Sequence, residues 1–362
     1  MNRSAALLAG LVAVVAVAFV VTQFQLDFKS TPISAKYAFR TATNKEALVV
    51  DQSSVPSSTR GCKKTLWMVA PIIQDASSDR FTMGALSSAI ANAPSLVPVV
   101  VHYRPYHELP RYITDLSGVY FVQHNISFYS ELKMRGELAV MGVYYRLDSA
   151  ALFPKILALV ANRTDIDTSH LLYTDTDVLF FRDVILCNVE QPPFIGMVQD
   201  LILTFWRPKY WSKEPNFNSG VMYMNIPAVI SRFPQMMEYA LKNNRFAAND
   251  DQRLINEFFC VEMKGCIHLP LGYNWRLWFG SSVRDYWMKL HTPIIVHFHA
   301  SKPISCLRCL LSFRHNSDFC VKMKACNPVY FARFGLATDG HLFYEEAVIA
   351  HYRYAFNPGY FA

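Results

Sequence analysis

The sequence predicts an α/β fold, in which a mostly parallel central sheet is flanked by helices and follows an N-terminal membrane anchor. From Thr65 onward, short continuous apolar runs alternate with segments of helical spacing, as expected of strands that are buried on both faces. An uncharged apolar segment precedes them near the N-terminus. The 362 residues are 52% hydrophobic, which is enough for a sizeable core. The net charge of +7 includes no basic run, so nucleic acid is not an expected partner.

The apolar N-terminal segment, residues 5–21, contains seventeen residues without a charge. A membrane-spanning helix needs about 17–25 such residues. Arg3 precedes the segment and predicts a cytoplasmic N-terminus with a lumenal remainder, whereas Ala16-Val17-Ala18 leaves a cleaved signal peptide as the alternative. The expected organisation is a short tail, an anchor, a stem, a folded domain and a Cys- and aromatic-rich cap, at residues 1–4, 5–24, 25–62, 63–305 and 306–362.

Cysteines and glycosylation triplets agree with a lumenal remainder. Asn125-Ile126-Ser127 and Asn162-Arg163-Thr164 are acceptor triplets for N-linked glycans. The chain has 8 cysteines, an even number that suits disulfides in an oxidising compartment. Zinc is the alternative for the late cluster of Cys306, Cys309, Cys320 and Cys326, and the pairing does not follow from the sequence.

The elements of the α/β domain can be assigned in order. The run TLWMVAPII predicts the first strand, and FTMGALSSAIANA predicts a helix that Asn92 and Pro94 end. The next strands are predicted at LVPVVVHY, GVYFVQHN, HLLYTD and PFIGMVQD, with helix-like stretches in several of the gaps. In open sheets of this class, ligands bind beyond the carboxyl ends of the strands.

Two aspartates, Asp175 and Asp177, interrupt an otherwise apolar stretch, LLYTDTDVLFFRDV. They lie where the HLLY strand is expected to end, so both carboxylates can face one crevice. In extended backbone, residues i and i+2 lie about 6.5–7 Å apart on one face. At an effective dielectric near 20, their repulsion is about 2.5 kcal/mol. A divalent cation reverses the sign of this interaction, and oxygen ligands suit Mg²⁺, Mn²⁺ or Ca²⁺.

A surface turn, a calcium loop and a hydrolase site are the alternatives to this metal site. A surface turn does not need the apolar flanks, and an EF-hand loop would need a further acidic residue, a central Gly and a closing Glu. A hydrolase with paired carboxylates stays open because the sequence does not set their separation. A second Asp-x-Asp, Asp165 and Asp167, lies in the polar stretch NRTDIDTS, which predicts a solvated loop.

Several landmarks in order resemble a known family. YTDTDVLF is similar to the metal-binding Asp-x-Asp of GT-A glycosyltransferases, and YYRLDSAALFP, FNSGVMYMN, DDQRLIN, LPLGYNW and HFHASKP follow the order of its retaining members. These members include glycogenin and bacterial lipopolysaccharide galactosyltransferases. The resemblance covers about residues 65–305 and implies a Rossmann-like GT-A fold.

The resemblance implies a metal site and a diphosphate contact. Asp175 and Asp177 would hold the metal together with His297, and an imidazole ligand favours Mn²⁺, with Mg²⁺ as the alternative. Lys302 would contact the donor diphosphate as a point charge. Lys302 lies one position closer to His297 than in the family, and this leaves His299 as an alternative ligand.

The same resemblance assigns the donor pocket. Arg146 would bridge the neighbourhood of the aspartates and the donor phosphates, and Asn218 and Gly220 would line the sugar pocket. Gly220 fits there because it allows a close backbone approach. Asp75 would close the first strand, and Phe81 would stack on the nucleotide base, which is uridine in the family.

The implied activity is metal-dependent, retaining glycosyl transfer from a nucleotide-diphosphate sugar. Asp251 would accept hydrogen bonds from sugar hydroxyls, and Gln252 would face the anomeric carbon opposite the leaving group. The acceptor would be a glycan, glycoprotein or glycolipid, and the expected location is the Golgi or ER membrane in a single-pass type II arrangement. The alternatives are an inactive lumenal binding protein that keeps the GT-A fold and another metal-assisted nucleotide-sugar enzyme.

Overall fold

The computed structural model describes residues 61–70, 76–131, 144–200, 216–245, 251–276 and 293–298. The predicted anchor and C-terminal cap, nearly all of the stem, and Asp75, His299 and Lys302 lie outside these ranges. The described residues belong to one compact unit that begins at Gly61. None of the helices within these ranges has both the length and the apolar character that crossing a bilayer requires.

The order of the elements follows the predicted alternation of strands and helices. Strands β1 to β10 are Lys64–Val69, Leu96–His102, Tyr120–Gln123, Ile166–Thr174, Val178–Phe180, Ile195–Gln199, Phe217–Asn225, Cys266–His268, Trp275–Arg276 and Ile295–His297. Helices α1 to α5 are Ala76–Asn92, Arg111–Thr114, Ser149–Leu159, Ile226–Lys242 and Asp251–Ile255. A π-helical segment, Asn256–Glu262, continues α5, and short 3₁₀ helices form at Tyr106–Glu108, Tyr129–Glu131, Leu186–Asn188 and Leu271–Asn274.

The described part of the central sheet has the strand order β3-β2-β1-β4-β7-β6-β8. β1 pairs in parallel with β2 and β4, β2 pairs in parallel with β3, and β6 does so with β8. β7 runs antiparallel to both β4 and β6. The structure therefore confirms an α/β fold with a mostly parallel central sheet, and this architecture fits a GT-A fold.

The two faces of the central sheet are covered by different layers. Alternate residues of β1 point to opposite faces, so that Leu66 and Met68 pack with apolar residues of α3, α4 and the π-helical segment. Trp67 and Val69 pack with α1 and with a smaller sheet of order β5-β10-β9. Burial on both faces explains why β1 and β2 are continuous apolar runs without alternation.

The small sheet brings the end of β10 to the connection between β4 and β5. β10 runs antiparallel to β5, and His297 is the register partner of Val178, the residue after Asp177. β10 also pairs in parallel with β9, where His297 is opposite Arg276. Residues far apart in sequence thus meet at the carboxyl end of β4.

Two disulfides form among the described cysteines. Cys62 bonds to Cys187 with a Cα–Cα distance of 6.0 Å, and Cys260 bonds to Cys266 with a Cα–Cα distance of 4.8 Å. The first ties the residues before β1 to the 3₁₀ helix Leu186–Asn188, and the second ties the π-helical segment to β8. The late cysteine cluster lies outside the described residues.

Candidate metal centre

The Asp-x-Asp sequence lies in the connection from β4 to β5, and backbone bonds on both sides hold it in place. The N–H of Asp175 donates to the carbonyl of Gly220 at 2.9 Å, which extends the pairing of β4 with β7. The carbonyl of Asp177 accepts from the N–H of Phe298 at 2.9 Å, just beyond β10. Asp177 is 2% exposed, so its carboxylate faces the interior.

The second Asp-x-Asp has a different environment. Asp165 is exposed and pairs with Arg163 at 2.7 Å, as expected of a solvated connection. Asp167 is instead the second residue of β4, and its carboxylate accepts from the N–H of Ser169 at 2.9 Å and from the Ser169 hydroxyl. Its local hydrogen bonds therefore leave no need for a metal ion at this pair.

Three side chains converge at the carboxyl end of β4. One ligand atom each from Asp175, Asp177 and His297 lies within 4.8 Å of the other two. The Nε2 atom of His297 is 3.9 Å from Oδ2 of Asp175 and 3.5 Å from Oδ1 of Asp177. A hard divalent cation binds its ligands at about 2.1 Å, which places neighbouring ligand atoms about 3–4 Å apart. The three residues therefore fit a small divalent cation, to which they would offer two oxygens and one imidazole nitrogen.

A line of amide side chains fixes which nitrogen of His297 faces the carboxylates. Nδ1 of His297 lies 3.0 Å from Oδ1 of Asn274, and Nδ2 of Asn274 donates to Oδ1 of Asn218 at 2.8 Å. Because the Asn274 oxygen accepts, Nδ1 carries the proton and Nε2 presents its lone pair to the metal position. Nδ2 of Asn218 then donates to Oε1 of Gln252 at 2.9 Å.

Gly220 leaves space for the metal ligands. A Cβ atom at this position would lie 2.2 Å from Cε1 of His297 and 2.9 Å from Oδ2 of Asp175. The side chains of two proposed ligands therefore occupy the volume that any larger residue would fill. Gly220 permits the close approach that the sequence predicts, and the groups that approach it here are protein side chains.

Arg146 connects the buried carboxylate of Asp251 with the partly buried carboxylate of Asp175 beside the metal position. Its Nη1 donates to Oδ1 of Asp175 at 3.2 Å and to the carbonyl of Ser219 at 2.6 Å, and its Nη2 forms an ion pair with Asp251. The hydroxyl of Tyr173 also donates to Oδ1 of Asp175, at 2.7 Å. These bonds occupy Oδ1 of Asp175 and leave Oδ2 directed at His297.

The charges of this network keep Arg146 protonated. Burial opposes its charge, but Asp251, Tyr173 and Asp175 outweigh burial and raise the pKa of Arg146. Burial raises the pKa of Tyr173, so its hydroxyl keeps the proton that it donates. Arg146 thus places one positive charge between two carboxylates that would otherwise repel each other.

Gln252 is held against β7 by its side-chain oxygen. Besides the bond from Asn218, Oε1 of Gln252 accepts from the N–H of Ser219 at 3.2 Å and from its hydroxyl at 3.4 Å. Asn256, at the start of the π-helical segment, accepts from the N–H of Phe217 at 2.7 Å and donates to its carbonyl at 2.9 Å. This pairing anchors α5 to the first residue of β7, and π-helical segments occur frequently at functional sites.

The structure brings together most of the described residues that the sequence assigns to the site. Asp175, Asp177 and His297 meet directly. Five further predicted residues contact one of these three or contact each other: Arg146, Asn218, Gly220, Asp251 and Gln252. Phe81 lies in α1, where 9% of its surface is exposed. The sequence did not predict several residues around the site: Tyr173, Asp200, Ser219, Asn274 and Arg276. The one signal that they share is a polar side chain within an apolar stretch of sequence.

Several solved structures similar to this chain are glycosyltransferases. The galactosyltransferase LgtC, solved in complex with donor and acceptor sugar analogues, has a TM-score of 0.48 and 16% identity, covering 66% of this chain and 89% of LgtC. The bifunctional glycosyltransferase WbbM has a TM-score of 0.49 and 14% identity, with 73% and 52% coverage. Mouse xyloside xylosyltransferase 1 has a TM-score of 0.43 and 17% identity, with 66% and 99% coverage.

These proteins belong to the class that the sequence landmarks resemble. No protein-family profile and no curated protein sequence matches the chain.

Proposed function

We propose that this chain is a metal-dependent, retaining glycosyltransferase that moves a hexose or pentose from a nucleotide-diphosphate donor, most simply a UDP-sugar. The acceptor would be a glycan, protein or lipid. The observation that carries the proposal is the convergence of Asp175, Asp177 and His297 at the carboxyl end of β4. This edge of the sheet is where α/β proteins bind their ligands.

The proposed metal has a defined chemical role. When bound, Mn²⁺, or Mg²⁺ as the alternative, would act as a Lewis acid that stabilises the negative charge of the departing nucleotide diphosphate. Asn274 orients His297 toward this position, and Tyr173 and Arg146 orient Asp175. The protein therefore holds its ligands in place before the donor arrives, which is the condition for electrostatic stabilisation without reorganisation.

The residues beside the metal position would bind and orient the sugar. Asp251 is held by its ion pair with Arg146 and would accept hydrogen bonds from sugar hydroxyls. Oε1 of Gln252 is already bonded to Asn218 and Ser219, which argues against its use as a nucleophile. We therefore favour retention by attack of the acceptor on the face from which the diphosphate leaves, with a phosphate oxygen taking the acceptor proton.

A panel of nucleotide sugars tests the proposal. The purified full-length chain is incubated with each donor, with and without Mn²⁺, and release of the nucleoside diphosphate is measured. We expect turnover of one donor class that depends on Mn²⁺. NMR of the product would give its anomeric configuration, and an inverted product would contradict the retaining mechanism.

A pair of aspartate variants provides the matched control. Asp177→Asn should abolish metal-dependent nucleotide binding and donor turnover, because it removes a charged ligand from the metal position. Asp167→Asn makes the same chemical change in the second Asp-x-Asp and should leave nucleotide binding at the wild-type level. Unchanged Mn²⁺-dependent binding in Asp177→Asn would overturn the proposed function.

We also propose that the chain acts in the Golgi or ER lumen, attached to the membrane by its N-terminal apolar segment. The two disulfides suit an oxidising compartment, and Asn125 and Asn162 are both exposed, as acceptors of N-linked glycans must be. Protease protection of microsomes tests the orientation, and a shift in mass after glycosidase treatment tests the glycans. Digestion of the folded domain in intact microsomes would contradict the lumenal assignment.

A further inference from the structure

Arg276 is a buried cation with hydrogen-bond donors for which the described residues provide no acceptor. It is 2% exposed, and its Nη1 donates to Oδ1 of Asp200 at 2.6 Å. Its Nε and Nη2 atoms are buried and have no hydrogen-bond partner in the part of the chain that the structure describes. A buried guanidinium N–H without an acceptor is costly, since it loses water and gains nothing in return. Such groups call for an acceptor that arrives with a ligand.

The position of Arg276 directs these donors toward the metal centre. Arg276 in β9 is the register partner of His297 in β10, and paired residues of neighbouring strands present their side chains to the same face. Its ion-pair partner Asp200 directly follows β6, whose carboxyl end lies at the same sheet edge as that of β4. Burial lowers the pKa of Arg276, and the charges that oppose this effect are those of Asp200, Asp177 and Asp175.

The free donors of Arg276 call for a hydrogen-bond acceptor, and the positive charge of the guanidinium favours an anionic one. Asp175 and Asp177 would be neutralised by a divalent cation, Arg146 is paired with Asp251, and Arg276 is paired with Asp200 through one nitrogen only. A diphosphate that joins this arrangement adds negative charge. The Arg276 guanidinium is planar and presents Nε and Nη2 side by side, which is the geometry that binds phosphate through two hydrogen bonds.

We propose that Arg276 binds the distal phosphate of the donor diphosphate, next to the metal. This inference depends on the proposed function. Asp75 and Phe81, which the family resemblance assigns to the nucleoside, follow β1, whereas Asp200 follows β6 on the opposite side of β4. A donor with its base near β1 and its first phosphate near the carboxyl end of β4 would extend its second phosphate toward β6.

Calorimetric titration of UDP and UMP in the presence of Mn²⁺ tests this assignment on the full-length chain. Arg276→Met keeps an unbranched side chain as long as the stem of arginine but removes its charge and its donors. We expect it to weaken UDP binding about 10- to 100-fold, as expected for loss of a hydrogen-bonded charge, and to leave UMP binding unchanged. Asp200→Asn removes the carboxylate that pairs with Nη1 of Arg276, and it should strengthen UDP binding severalfold.

Two controls separate a local effect from loss of the fold. Arg245→Met removes an arginine that pairs with Glu257 outside the site, and should leave both affinities unchanged. The double variant Asp200→Asn with Arg276→Met removes both buried charges, so it avoids an unpaired carboxylate, and should still bind UDP weakly and UMP normally.

The outcomes distinguish this inference from the proposed function. Equal losses for UDP and UMP, or no loss for either, would overturn the role of Arg276. Failure of the wild-type chain to bind UDP with Mn²⁺ would overturn the proposed UDP-dependent function, and this inference with it.

Discussion

Replacing Gly220 with alanine tests whether close packing on β7 sets the geometry of the metal centre. The added Cβ would lie 2.2 Å from Cε1 of His297 and 2.9 Å from Oδ2 of Asp175. Carbon atoms in contact are normally about 3.5–4.0 Å apart, so the imidazole ring must move by more than about 1 Å. Metal–ligand distances tolerate changes of only about 0.2 Å. We therefore expect Gly220→Ala to weaken Mn²⁺ binding at least about 10- to 100-fold.

The assay is a direct Mn²⁺ titration, followed by the unbound-ion signal in electron paramagnetic resonance. Overpacking should also lower the free energy of unfolding by about 1–3 kcal/mol, so chemical denaturation is measured in parallel. Gly196→Ala is the matched control, because its added Cβ would meet Leu269 at 3.0 Å and Ile267 at 3.2 Å, in β6 and away from the metal ligands. Wild-type Mn²⁺ affinity in Gly220→Ala would refute the reasoning.

Three further predictions concern stability. Arg146→Met leaves the buried carboxylate of Asp251 without its cation and should lower the free energy of unfolding by about 3–5 kcal/mol in urea denaturation; a loss below about 1 kcal/mol would contradict the buried pairing. Cys62→Ser breaks the disulfide to Cys187 and should lower the free energy of unfolding by up to about 4–5 kcal/mol. Under reducing conditions the variant and the wild-type chain should be equally stable. Burial works against the charge of Asp167, but His170 and other hydrogen bonds lower its pKa to about 2. The ionised Asp167 therefore stabilises the fold above about pH 4, and this stabilisation is lost as the pH falls through about 2. The difference in free energy of unfolding between the wild-type chain and Asp167→Asn should decrease in acid, and a difference that does not change with pH would contradict the prediction.

Local sequence pattern predicted those parts of the fold and site that depend on neighbouring residues. The strands β1 and β2 and the second half of β4 are mostly apolar because both of their faces are buried, and a run of this kind is visible without a structure. The direction of β7 carries no such signal, since an apolar strand pairs equally well in either direction. The antiparallel orientation of β7 came only from the structure.

Contacts between distant residues account for what the sequence could not provide. Asn274 and Arg276 lie in a short segment whose sequence predicts core packing. Their place beside the metal position depends on the pairing of β9 with β10. The residue spacing gives no information on that register, because it is set by packing across the small sheet. The same limit applies to Gly220, whose neighbouring groups became clear only once the position of His297 was known.

By itself, the sequence determined the alternation of strands and helices and the unusual pair of carboxylates at Asp175 and Asp177, because hydrophobic periodicity and misplaced charge are local properties. Only the tertiary structure decided which imidazole and which guanidinium groups face that pair. Those groups come from strands that are far apart in the sequence, and their meeting depends on sheet register and on burial, which are properties of the folded chain as a whole.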